Sequence, residues 1–504
     1  MSSWSLYDLL SHVNNRTPIK HPASKLIEES AKKDRFSVIQ GPPGTGKSTA
    51  IDNAIINLFN NTEFPILYVA PTNKLVHERA IKLISYLINY VKKREDIPKI
   101  MRIYGSAFVY DKAENFRKPV DDEVRIILST EYQRSYVESE EESEEVRDIV
   151  VIVDEASKSP IARPFITLAR SIINGNARVQ SLTVIGDPQQ AISKDAGMTT
   201  TELLFTFMVK QGLLRDGILN QGQKNIDADD ILAKARSAKP KWFRFLDETY
   251  RMPKYSEEPC SLGYYGGELK SNVNFENRIK IYIDLDKLKK LRGKSKVNLP
   301  DFYKVLDAVE NAITSGQPVI YNEYTGLSYR EDTILRIDKK RATISMYYAT
   351  ILAYITLGNA AQVYIQTAYT DQKTYIMMNL DRMFSKLPRD VIDDVKYKIR
   401  VSTSHERIGD ESLFTVNVLG KEWYGHGTLY YQEPEVLNVA NSRHQGLNVI
   451  VGNLKKLRDD AARKDRELRT KKFRKLIDFS EKVIKYADDD EKFLILKLDK
   501  KNAK

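Results

Sequence analysis

Short apolar runs alternate with longer segments of helical periodicity through the first half of the chain. The runs cover residues 36–40, 64–70, 124–130, 149–153 and 182–185. Segments with helical spacing of their apolar residues lie between or before them, at 24–33, 48–60 and 75–91. The run at 149–153 is continuously apolar, as expected for a strand that is buried on both faces of a parallel sheet. Strands that alternate with helices predict an α/β fold with a parallel sheet.

A second set of apolar runs in the second half of the chain predicts a second α/β unit. These runs cover residues 279–283, 363–367, 398–402, 414–419 and 447–452. From about residue 454 onward, closely mixed basic and acidic residues follow a helical pattern. The acidic segment 138–145 is interpreted as an exposed loop, because like charges repel one another. Mimicry of nucleic acid by this segment is the alternative.

The stretch at 41–48 suggests a specific chemistry. It reads Gly-Pro-Pro-Gly-Thr-Gly-Lys-Ser and fits the phosphate-binding pattern G-x-x-x-x-G-K-[ST]. Gly44 and Gly46 favour the tight turn that aims backbone N–H groups at phosphate oxygens. Lys47 can then reach the β- and γ-phosphates of ATP, and the Ser48 hydroxyl can bind Mg²⁺. The strand before the loop and the helix after it disfavour a Gly-rich turn with an unrelated lysine.

Polar residues follow two of the later strands. Asp154 and Glu155 come directly after the run at 149–153, where a nucleotide hydrolase needs carboxylates. Asp154 would hold Mg²⁺ through water, and Glu155 would orient or deprotonate the attacking water. The segment 186–190 follows the next strand and ends in Gln190, whose amide could sense the γ-phosphate. A plain polar turn is the alternative for that segment.

Composition limits the classes of protein that fit. The chain has 504 residues, a net charge of +11, six His and one Cys. A single Cys260 excludes an intrachain disulfide, and no Cys or His cluster predicts zinc or iron–sulfur binding. No apolar run approaches ~18 residues, and the N-terminus has no signal-peptide pattern. We therefore expect an intracellular protein with no membrane span, and the positive charge suits a polyanionic partner.

The ordered motifs resemble those of superfamily 1 helicases, and more narrowly the 1B branch that includes the nonsense-mediated-decay helicase and senataxin. The match runs from about residue 36 to 453. The segments that resemble motifs I, Ia, II, III and IV are 41–49, 70–74, 154–157, 186–190 and 249–253. The later motifs correspond to 367–373, 402–404 with 409–411, and 437–443. Departures from the family pattern suggest a divergent member of viral or archaeal type. Members of the family often have a Gln before the phosphate loop that recognises adenine, and the stretch 21–25 contains no Gln. Gln40 could compensate for this difference.

The resemblance implies two RecA-like parallel-sheet domains of the P-loop NTPase type, with ATP bound between them. The expected bounds are 1–252, with an insertion at about 85–122, and 253–460, with an insertion at about 285–345. Residues 461–504 would form a charged helical tail. The second insertion is either an added subdomain that touches nucleic acid or a solvated insert.

The resemblance also assigns roles to individual residues. Arg251 and Arg443 would act as arginine fingers on the γ-phosphate. Tyr250 would stack on adenine, and Glu411 would bind the ribose or a γ-phosphate network. A surface position is the alternative for Arg251, and a salt-bridge partner is the alternative for Arg443. The full set of residues expected to bind the nucleotide is Gly44, Thr45, Gly46, Lys47, Ser48, Thr49, Tyr250, Gly409 and Glu411.

The function that follows is ATP-dependent movement along single-stranded DNA or RNA, in the 5′ to 3′ direction, with unwinding of duplexes. Strand ends suited to phosphate contacts carry the expected nucleic-acid-binding residues, which are Pro71, Thr72, Asn73, Ser129, Thr130, Thr367, Tyr369 and Thr403. Backbone contacts without base readout would make the motion independent of sequence. An ATP-controlled clamp or switch without strand separation, and a small-molecule kinase, are the alternatives.

Overall fold

The computed structural model divides the chain into two compact units. Unit 1 consists of Met1–Pro42 and Gly46–Leu246, and unit 2 consists of Pro43–Thr45 and Asp247–Lys504. The tip of the predicted phosphate loop therefore groups with unit 2. The structure describes residues 16–32, 36–91, 93, 96–104, 123–131, 147–161, 163–164, 177–190, 203–220, 222, 226–293, 299–324, 337–358, 362–406, 410–419, 433–489 and 491–498.

Unit 1 contains a seven-stranded sheet in which every described strand pair is parallel. Its strands are β1 (Phe36–Gln40), β2 (Ile66–Ala70), β3 (Met101–Tyr104), β4 (Ile126–Thr130), β5 (Arg147–Val153), β6 (Ala177–Gly186) and β7 (Phe243–Phe245). They are arranged in the order β3-β4-β2-β5-β6-β1-β7. This arrangement confirms the predicted parallel α/β fold, and each strand predicted for the first half lies in the sheet.

Helices cover both faces of the sheet in unit 1. They are α1 (Ser24–Lys32), α2 (Lys47–Asn61), α3 (Asn73–Leu87), α4 (Ile97–Ile100), α5 (Leu204–Arg215) and α6 (Ala228–Ala238). Side chains of a strand alternate between the two faces, so Tyr68 of β2 joins the core beneath α1, α2 and α3. Its neighbours Leu67 and Val69 join the other core, beneath α5 and α6. Burial on both faces explains why the strands of this sheet are apolar runs.

Unit 2 contains a six-stranded parallel sheet and a separate pair of short strands. The pair is β8 (Glu248–Thr249) with β9 (Lys270–Ser271). The sheet is formed by β10 (Val319–Glu323), β11 (Val363–Thr367), β12 (Ile399–Thr403), β13 (Phe414–Val418), β14 (Asn448–Gly452) and β15 (Leu494–Lys497). Their order is β12-β11-β13-β14-β10-β15. Two separate parallel sheets, one in each unit, match the predicted pair of α/β domains.

Unit 2 contains one long buried helix among its helices. In chain order they are α7 (Glu258–Tyr265), α8 (Phe275–Lys280), α9 (Asp286–Gly293), α10 (Phe302–Thr314), α11 (Lys339–Ile355), α12 (Thr370–Phe384), α13 (Arg389–Val395), α14 (Glu435–Asn441), α15 (Leu454–Glu467) and α16 (Arg474–Asp488). Helix α11 is buried from Ile344 to Ile355 without a break. It packs against β11, β13 and β14 and against α10, α12 and α13. None of the helices in the described ranges combines the length and the apolar character needed to cross a bilayer.

The strand predicted at 279–283 is wrong. These residues follow or end α8, a helix that begins after Asn274. The Asn274 side chain accepts a hydrogen bond from the Asn277 amide at 2.8 Å, which is a helix N-cap. The cap starts a helix at this point, and the local alternation of Ile279 with polar neighbours does not decide the structure.

The insertion predicted at about 285–345 also needs correction. Strand β10 lies inside this range and pairs in parallel with β14 on one side and with β15 on the other. Helix α10 packs on β10 and on α11. The centre of the range is therefore an integral part of the sheet and its cover, neither an added subdomain nor a solvated insert. Its apolar run, Val319–Tyr321, is too short to be recognised as a strand from the pattern alone.

Two other segments differ from their expected character. The segment 85–122 was expected to be an insertion, but it contributes β3, which pairs with β4; residues 105–122 lie outside the described residues. The helical tail expected at 461–504 includes α16, whose Leu476, Phe479 and Val483 are buried. It also includes β15, so these residues belong to the packed body of unit 2. The acidic segment 138–145 lies outside the described residues.

A close contact between α5 and Trp242 generates a stability prediction. A Cβ added at Gly212 would lie 2.4 Å from Cζ2 of Trp242. The indole cannot easily move, because its N–H donates to Asp216 at 2.6 Å. We expect Gly212→Ala to lower the free energy of unfolding by about 1–3 kcal/mol, the usual cost of overpacking. Urea unfolding followed by circular dichroism measures this change.

The matched control for this prediction is Gly293→Ala. Gly293 is the last residue of α9, and a Cβ added there meets no heavy atom within 4 Å. We expect this variant to be as stable as the parent protein or slightly more stable, because Ala favours helix over Gly. Equal stability of Gly212→Ala and the parent would contradict the proposed contact.

Candidate functional site

The phosphate loop of unit 1 lies between the end of β1 and the start of α2. Gly46 precedes the first residue of α2 and has a φ of 79°, a left-handed conformation that favours glycine. The Lys47 ammonium group folds back onto the Gly41 carbonyl oxygen. Backbone N–H groups at the start of a helix attract anions. The described loop therefore has the backbone conformation and the cation that a phosphate needs.

A histidine that the sequence pattern did not single out lies against this loop. A Cβ added at Gly46 would lie 2.8 Å from Nε2 of His21. The His21 ring is oriented by its Nδ1, which accepts a hydrogen bond from the Ala23 amide at 3.2 Å. The His21 carbonyl also accepts from the Ser24 amide and hydroxyl at the start of α1. The stretch 21–25 lacks the expected Gln, but it places the imidazole ring of His21 beside the phosphate loop.

The two carboxylates after β5 differ in their surroundings. Asp154 is buried, and its Oδ1 accepts a hydrogen bond from the Glu155 amide at 2.8 Å. Glu155 has a φ of 50°, and a residue other than glycine in this conformation carries backbone strain. Its carboxylate pairs with the Lys158 ammonium group at 3.0 Å, and both side chains are partly exposed. The strained turn separates a buried carboxylate from one that reaches solvent, as the two predicted roles require.

A buried ion-pair network holds Asp154 from behind. Its Oδ2 accepts hydrogen bonds from the Tyr68 hydroxyl at 2.8 Å and from Arg79 at 3.1 Å. Arg79 also donates to a carboxylate oxygen of Asp52 and, at 2.7 Å, to the Ser48 carbonyl oxygen. Tyr68 belongs to β2, Arg79 to α3, and Asp52 to α2. These three residues belong to none of the sequence motifs; Arg79, for example, lies in the polar stretch His-Glu-Arg and resembles a solvated position.

Mutual charges keep this network in one protonation state. Burial raises the pKa of the Tyr68 phenol, and the negative charge of Asp154 raises it further, so Tyr68 remains a donor. Burial opposes the charged form of Arg79, but the neighbouring Asp52, Tyr68 and Asp154 outweigh it and hold the pKa of Arg79 above its ordinary value. The guanidinium group is therefore a permanent cation behind the candidate metal site.

Polar groups after β6 connect to the neighbouring strand ends. The Asp187 amide donates to the Ser157 hydroxyl at 3.1 Å, which links the end of β6 to the end of β5. Gln190 donates to Asp187 at 2.6 Å, and Gln189 donates to Asp229 at 2.6 Å. The segment is thus more than a plain polar turn. Gln40, the suggested adenine reader, is fully buried; it contacts Asp187 at 3.5 Å and accepts from Arg236 at 3.3 Å.

The sheet of unit 1 brings two groups of predicted residues to one edge. The carboxyl ends of β1, β6 and β5 carry the phosphate loop, Gln190, and the pair Asp154 and Glu155. The next two strands in the order, β2 and β4, carry the residues predicted to contact nucleic acid, which are Pro71, Thr72, Asn73, Ser129 and Thr130. Ligands of parallel α/β sheets bind outside the carboxyl ends of the strands.

The predicted nucleic-acid contacts of unit 1 differ in exposure. Thr72 is exposed and caps α3, where its hydroxyl accepts from the Leu75 amide at 3.4 Å. Pro71 and Asn73 are half-buried. Ser129 and Thr130 are buried at the end of β4, and the Ser129 hydroxyl bonds to the Thr130 carbonyl. The end of β2 therefore offers an accessible side chain to a ligand, whereas the side chains at the end of β4 mainly support the strand.

In unit 2, Arg251 lies beside the tip of the phosphate loop. A Cβ added at Gly44, which has a φ of 71°, would lie 2.4 Å from the Arg251 Cβ. The Thr249 hydroxyl donates to the Pro43 carbonyl at 2.8 Å, and the Tyr250 amide donates to the Gly44 carbonyl at 2.9 Å. Only glycine fits at position 44, because the conformation and the space both exclude a side chain.

Unit 2 also brings Arg251 together with Glu411, as the motif order suggests. Arg251 donates to the Glu411 carboxylate at 2.7 Å and to the Ser442 carbonyl at 3.0 Å. Burial raises the pKa of Glu411, but the charges of Arg251 and, to a lesser degree, Arg443 outweigh it and lower the pKa overall. Arg443 itself is buried. A surface position was the alternative for Arg251, and the structure shows that this side chain forms an ion pair with Glu411 within its own unit.

The remaining predicted residues of unit 2 differ in their exposure. Tyr250 is half-exposed, with its hydroxyl 3.3 Å from Glu248. Gly409 lies outside the described residues. Thr367 and Thr403 end the neighbouring strands β11 and β12, and Tyr369 directly precedes α12; all three are buried. The roles predicted for these residues, and for Thr45 and Thr49 of the loop, stay predictions.

An acidic side chain occupies the position next to Thr403. The Glu406 carboxylate accepts from the Thr403 amide at 2.9 Å and pairs with the Lys373 ammonium group at 2.7 Å. The hydrogen bond from Lys373 is the main reason that the pKa of Glu406 is lowered. An amide and an ammonium group that hold a carboxylate form an environment suited to anions. Glu406 and Lys373 were not identified from the sequence.

The donor set in unit 1 fits a magnesium ion. Mg²⁺ prefers oxygen ligands and is usually bound by one or two protein oxygens, with phosphates and water completing its shell. The exposed Ser48 and the buried Asp154 supply such oxygens. The three hydrogen bonds to Asp154 leave part of its acceptor capacity for a metal-bound water. Among the described residues no group of three or more His, Cys, Asp or Glu could hold a metal alone.

Comparisons with known proteins agree with this arrangement. A family model described as an AAA domain matches residues 20–150. The chain is 23% identical over 496 residues to ECM32 of Saccharomyces cerevisiae, which is named as an ATP-dependent RNA helicase. That alignment covers 86% of this chain. The chain is similar to this helicase over most of its length. It spans 40% of the length of the yeast relative.

Solved helicase structures resemble this chain weakly. Nonstructural protein 10 (helicase) of an arterivirus, solved with DNA, is 12% identical and has a TM-score of 0.35, covering 84% of this chain and 62% of that one. The Hef helicase domain of Pyrococcus furiosus is 12% identical and has a TM-score of 0.33, covering 89% of this chain and 98% of that one. Both TM-scores are low, and the fold assignment depends on the two sheets themselves.

A buried carboxyl group behind the Tyr250–Pro253 segment generates a pH prediction. Burial raises the pKa of Glu257 to about 7, although the Ser271 amide donates to this side chain at 2.9 Å. The folded protein therefore binds a proton between pH 4.5 and about 7 that the unfolded chain has released. The free energy of unfolding should fall as the pH rises through this window. The upper bound is about 3 kcal/mol, since one pKa unit corresponds to about 1.4 kcal/mol.

Urea unfolding at a series of pH values between 4.5 and 8 measures this slope. We expect Glu257→Gln to remove the contribution, because the amide carries no charge at any of these pH values. The control is Glu481→Gln, a change at an exposed position of α16 that should keep the parental slope. An identical pH profile for the parent and for Glu257→Gln would contradict the burial of an uncompensated carboxyl group.

Proposed function

We propose that this superfamily 1 chain hydrolyses ATP and uses the reaction to move along single-stranded nucleic acid, with unwinding of duplexes. The observation that carries the proposal is the order of strand ends in unit 1. The phosphate loop, Gln190 and the pair Asp154 and Glu155 occupy the neighbouring ends of β1, β6 and β5, and the accessible end of β2 is adjacent to that of β5. A structural change at the bound nucleotide can therefore be transmitted from the end of β5 to a nucleic-acid contact at the end of the neighbouring strand β2.

The nucleotide part of the proposal depends on side chains already held in place. The Lys47 ammonium group contacts the Gly41 carbonyl oxygen of its own loop, and a phosphate of ATP can take the place of that acceptor. Ser48 and Asp154 would hold Mg²⁺ together with the phosphates of ATP. The ion would neutralise charge on the β- and γ-phosphates. Glu155 would orient or deprotonate the attacking water. For Arg251 and Arg443, stabilisation of the transferring phosphoryl group remains a prediction.

The nucleic-acid part of the proposal depends on charge and on polar strand ends. A net charge of +11 favours a polyanion. Thr72 is exposed at the start of α3, where helix N–H groups favour phosphate. In unit 2, Lys373 and the Thr403 amide already hold a carboxylate. The yeast relative is named as an RNA helicase, and the arterivirus structure contains DNA; both nucleic acids are therefore candidates.

Hydrolysis of ATP with and without single strands tests the proposed function. We expect turnover of the parent protein to rise strongly with either single-stranded DNA or RNA. Glu155→Gln should bind ATP and fail to turn it over, because the amide keeps the shape and cannot accept the proton. The control is Glu78→Gln on the exposed face of α3, which should keep the parental rate.

The alternatives predict different results in the same assay. A clamp or switch would respond weakly to single strands, and a small-molecule kinase would not respond to them. Turnover at the parental rate in Glu155→Gln would show that Glu155 does not activate the water. An absence of ATP turnover in the parent protein under all these conditions would contradict the proposed function as a whole.

The direction of movement has its own test. The likeness of 70–74, 154–157 and 250–253 to the 1B branch predicts movement from 5′ to 3′. We expect ATP-dependent strand release from a duplex with a 5′ single-stranded tail and none from a duplex with a 3′ tail. Gel separation of labelled strands measures the release. The opposite preference would contradict placement in the 1B branch and leave the ATPase proposal intact.

A further inference from the structure

Arg79 connects three elements around the candidate metal site. From α3, its guanidinium group donates to Asp154 after β5, and to Asp52 and the Ser48 carbonyl of α2. The guanidinium carbon also lies 5.1 Å from the centre of the Tyr68 ring. The ring hydroxyl donates to the same Asp154 oxygen that Arg79 contacts. One side chain thus touches the helix that carries Ser48 and the carboxylate expected to share Mg²⁺ with it.

We propose that Arg79 is a positioning residue that holds Asp154 and the first turn of α2 in the arrangement needed to bind Mg²⁺ with a nucleotide. The inference rests on the proposed ATPase function. It assigns to this chain a role for a side chain outside the motifs that carry the chemistry. Arg79 does not touch the metal or the phosphates in this role; it acts through Asp154 and through the backbone of Ser48.

Burial is the first argument for a positioning role. Arg79 has 4% of its surface exposed, and so does Asp154. A charged group in such a place is costly unless it is paired and hydrogen-bonded. The network meets that condition through one cation between two carboxylates, Asp52 and Asp154. Replacement of the two ion pairs by well-packed apolar side chains would leave the folded protein at least as stable. Stability alone therefore does not explain why an arginine occupies position 79.

Geometry is the second argument. The planar guanidinium group presents donors in a fixed fork, and here the fork reaches Asp154 through one terminal nitrogen and Asp52 and Ser48 through the other. An ammonium group is a single compact charge and cannot fix three acceptors in one plane. Partners that orient metal ligands typically change metal affinity by about 10- to 100-fold when they are removed.

Charge is the third argument. Asp52 and Asp154 together carry two negative charges, and Arg79 cancels one of them. The remaining charge suits a divalent cation in front of Asp154. Tyr68 fixes the orientation of the carboxylate from the second side, at 2.8 Å. Removal of the cation would leave two buried carboxylates near each other. Their mutual repulsion would favour conformations in which Asp154 is turned away from the metal.

Titration of nucleotide binding with Mg²⁺ tests the inference. The probe is a fluorescent ATP analogue, mant-ATP, measured with the full-length protein first in EDTA and then over a range of Mg²⁺ concentrations. We expect Arg79→Met to bind mant-ATP like the parent protein in EDTA, because Lys47 and the loop are unchanged. The Mg²⁺ concentration at half-maximal effect should rise by about tenfold or more, as for loss of a partner that orients a metal ligand.

A second variant and a matched control separate positioning from folding. Arg79→Lys keeps the charge and loses the fork, so its Mg²⁺ requirement should lie between those of the parent and Arg79→Met. The control is Arg125→Met, which removes another arginine that contacts α2: Arg125 precedes β4 and donates to the carbonyl oxygens of Phe59 and Thr62 at the far end of that helix. This variant should keep the parental Mg²⁺ requirement.

The outcomes are distinct from those of the proposed function. A parental Mg²⁺ requirement in Arg79→Met would overturn the inference; if that variant does not fold, a parental requirement in Arg79→Lys would do the same. An equal loss of affinity in EDTA and in Mg²⁺ would also overturn it, since a collapsed loop would act in this way. Failure of the parent protein to bind mant-ATP at all would instead contradict the nucleotide site.

Discussion

Parallel pairing of the strands is the constraint on which the rest of the structure depends. In a parallel sheet every strand ends on the same edge, so residues far apart in sequence meet without any direct link between them. The phosphate loop after residue 40 follows β1, and the carboxylates at 154–155 follow β5. These two strands are separated in the sheet by β6 alone, so the loop and the carboxylates meet at its edge. The apolar strands hold this order through burial on both faces. Chemistry at the edge therefore depends on packing in the centre.

Much of the fold could be predicted because its strands are short, continuous apolar runs. The loop at 41–48 and the pair Asp154 and Glu155 could also be found, since each follows such a run directly. Strand β10 could not be found in this way, because its run of apolar residues is only three long. Helix α11 was missed for the opposite reason: it is apolar on all sides and therefore lacks the periodicity of an amphipathic helix.

The candidate site shows a similar division between what sequence reveals and what it hides. Residues that act on a ligand occupy fixed positions in motifs, so Lys47 and Asp154 were recognised from spacing. The residues that hold them are determined by three-dimensional contacts. Arg79 and Tyr68 reach Asp154 from two different elements, and His21 reaches Gly46 from a third. No spacing rule joins these positions, because the distances between them along the chain depend on loop lengths.

The burial of α11 has a consequence for how unit 2 can form. A helix without a polar side exposes apolar surface to water in every orientation. It is therefore stable only when other elements pack against it. Those neighbours are β11, β13 and β14, which come later in the chain, and α10, which precedes it. During synthesis α11 leaves the ribosome before most of its cover. Contacts between elements that are far apart in sequence form slowly, and apolar surface that is exposed until they form favours aggregation of an incomplete unit 2.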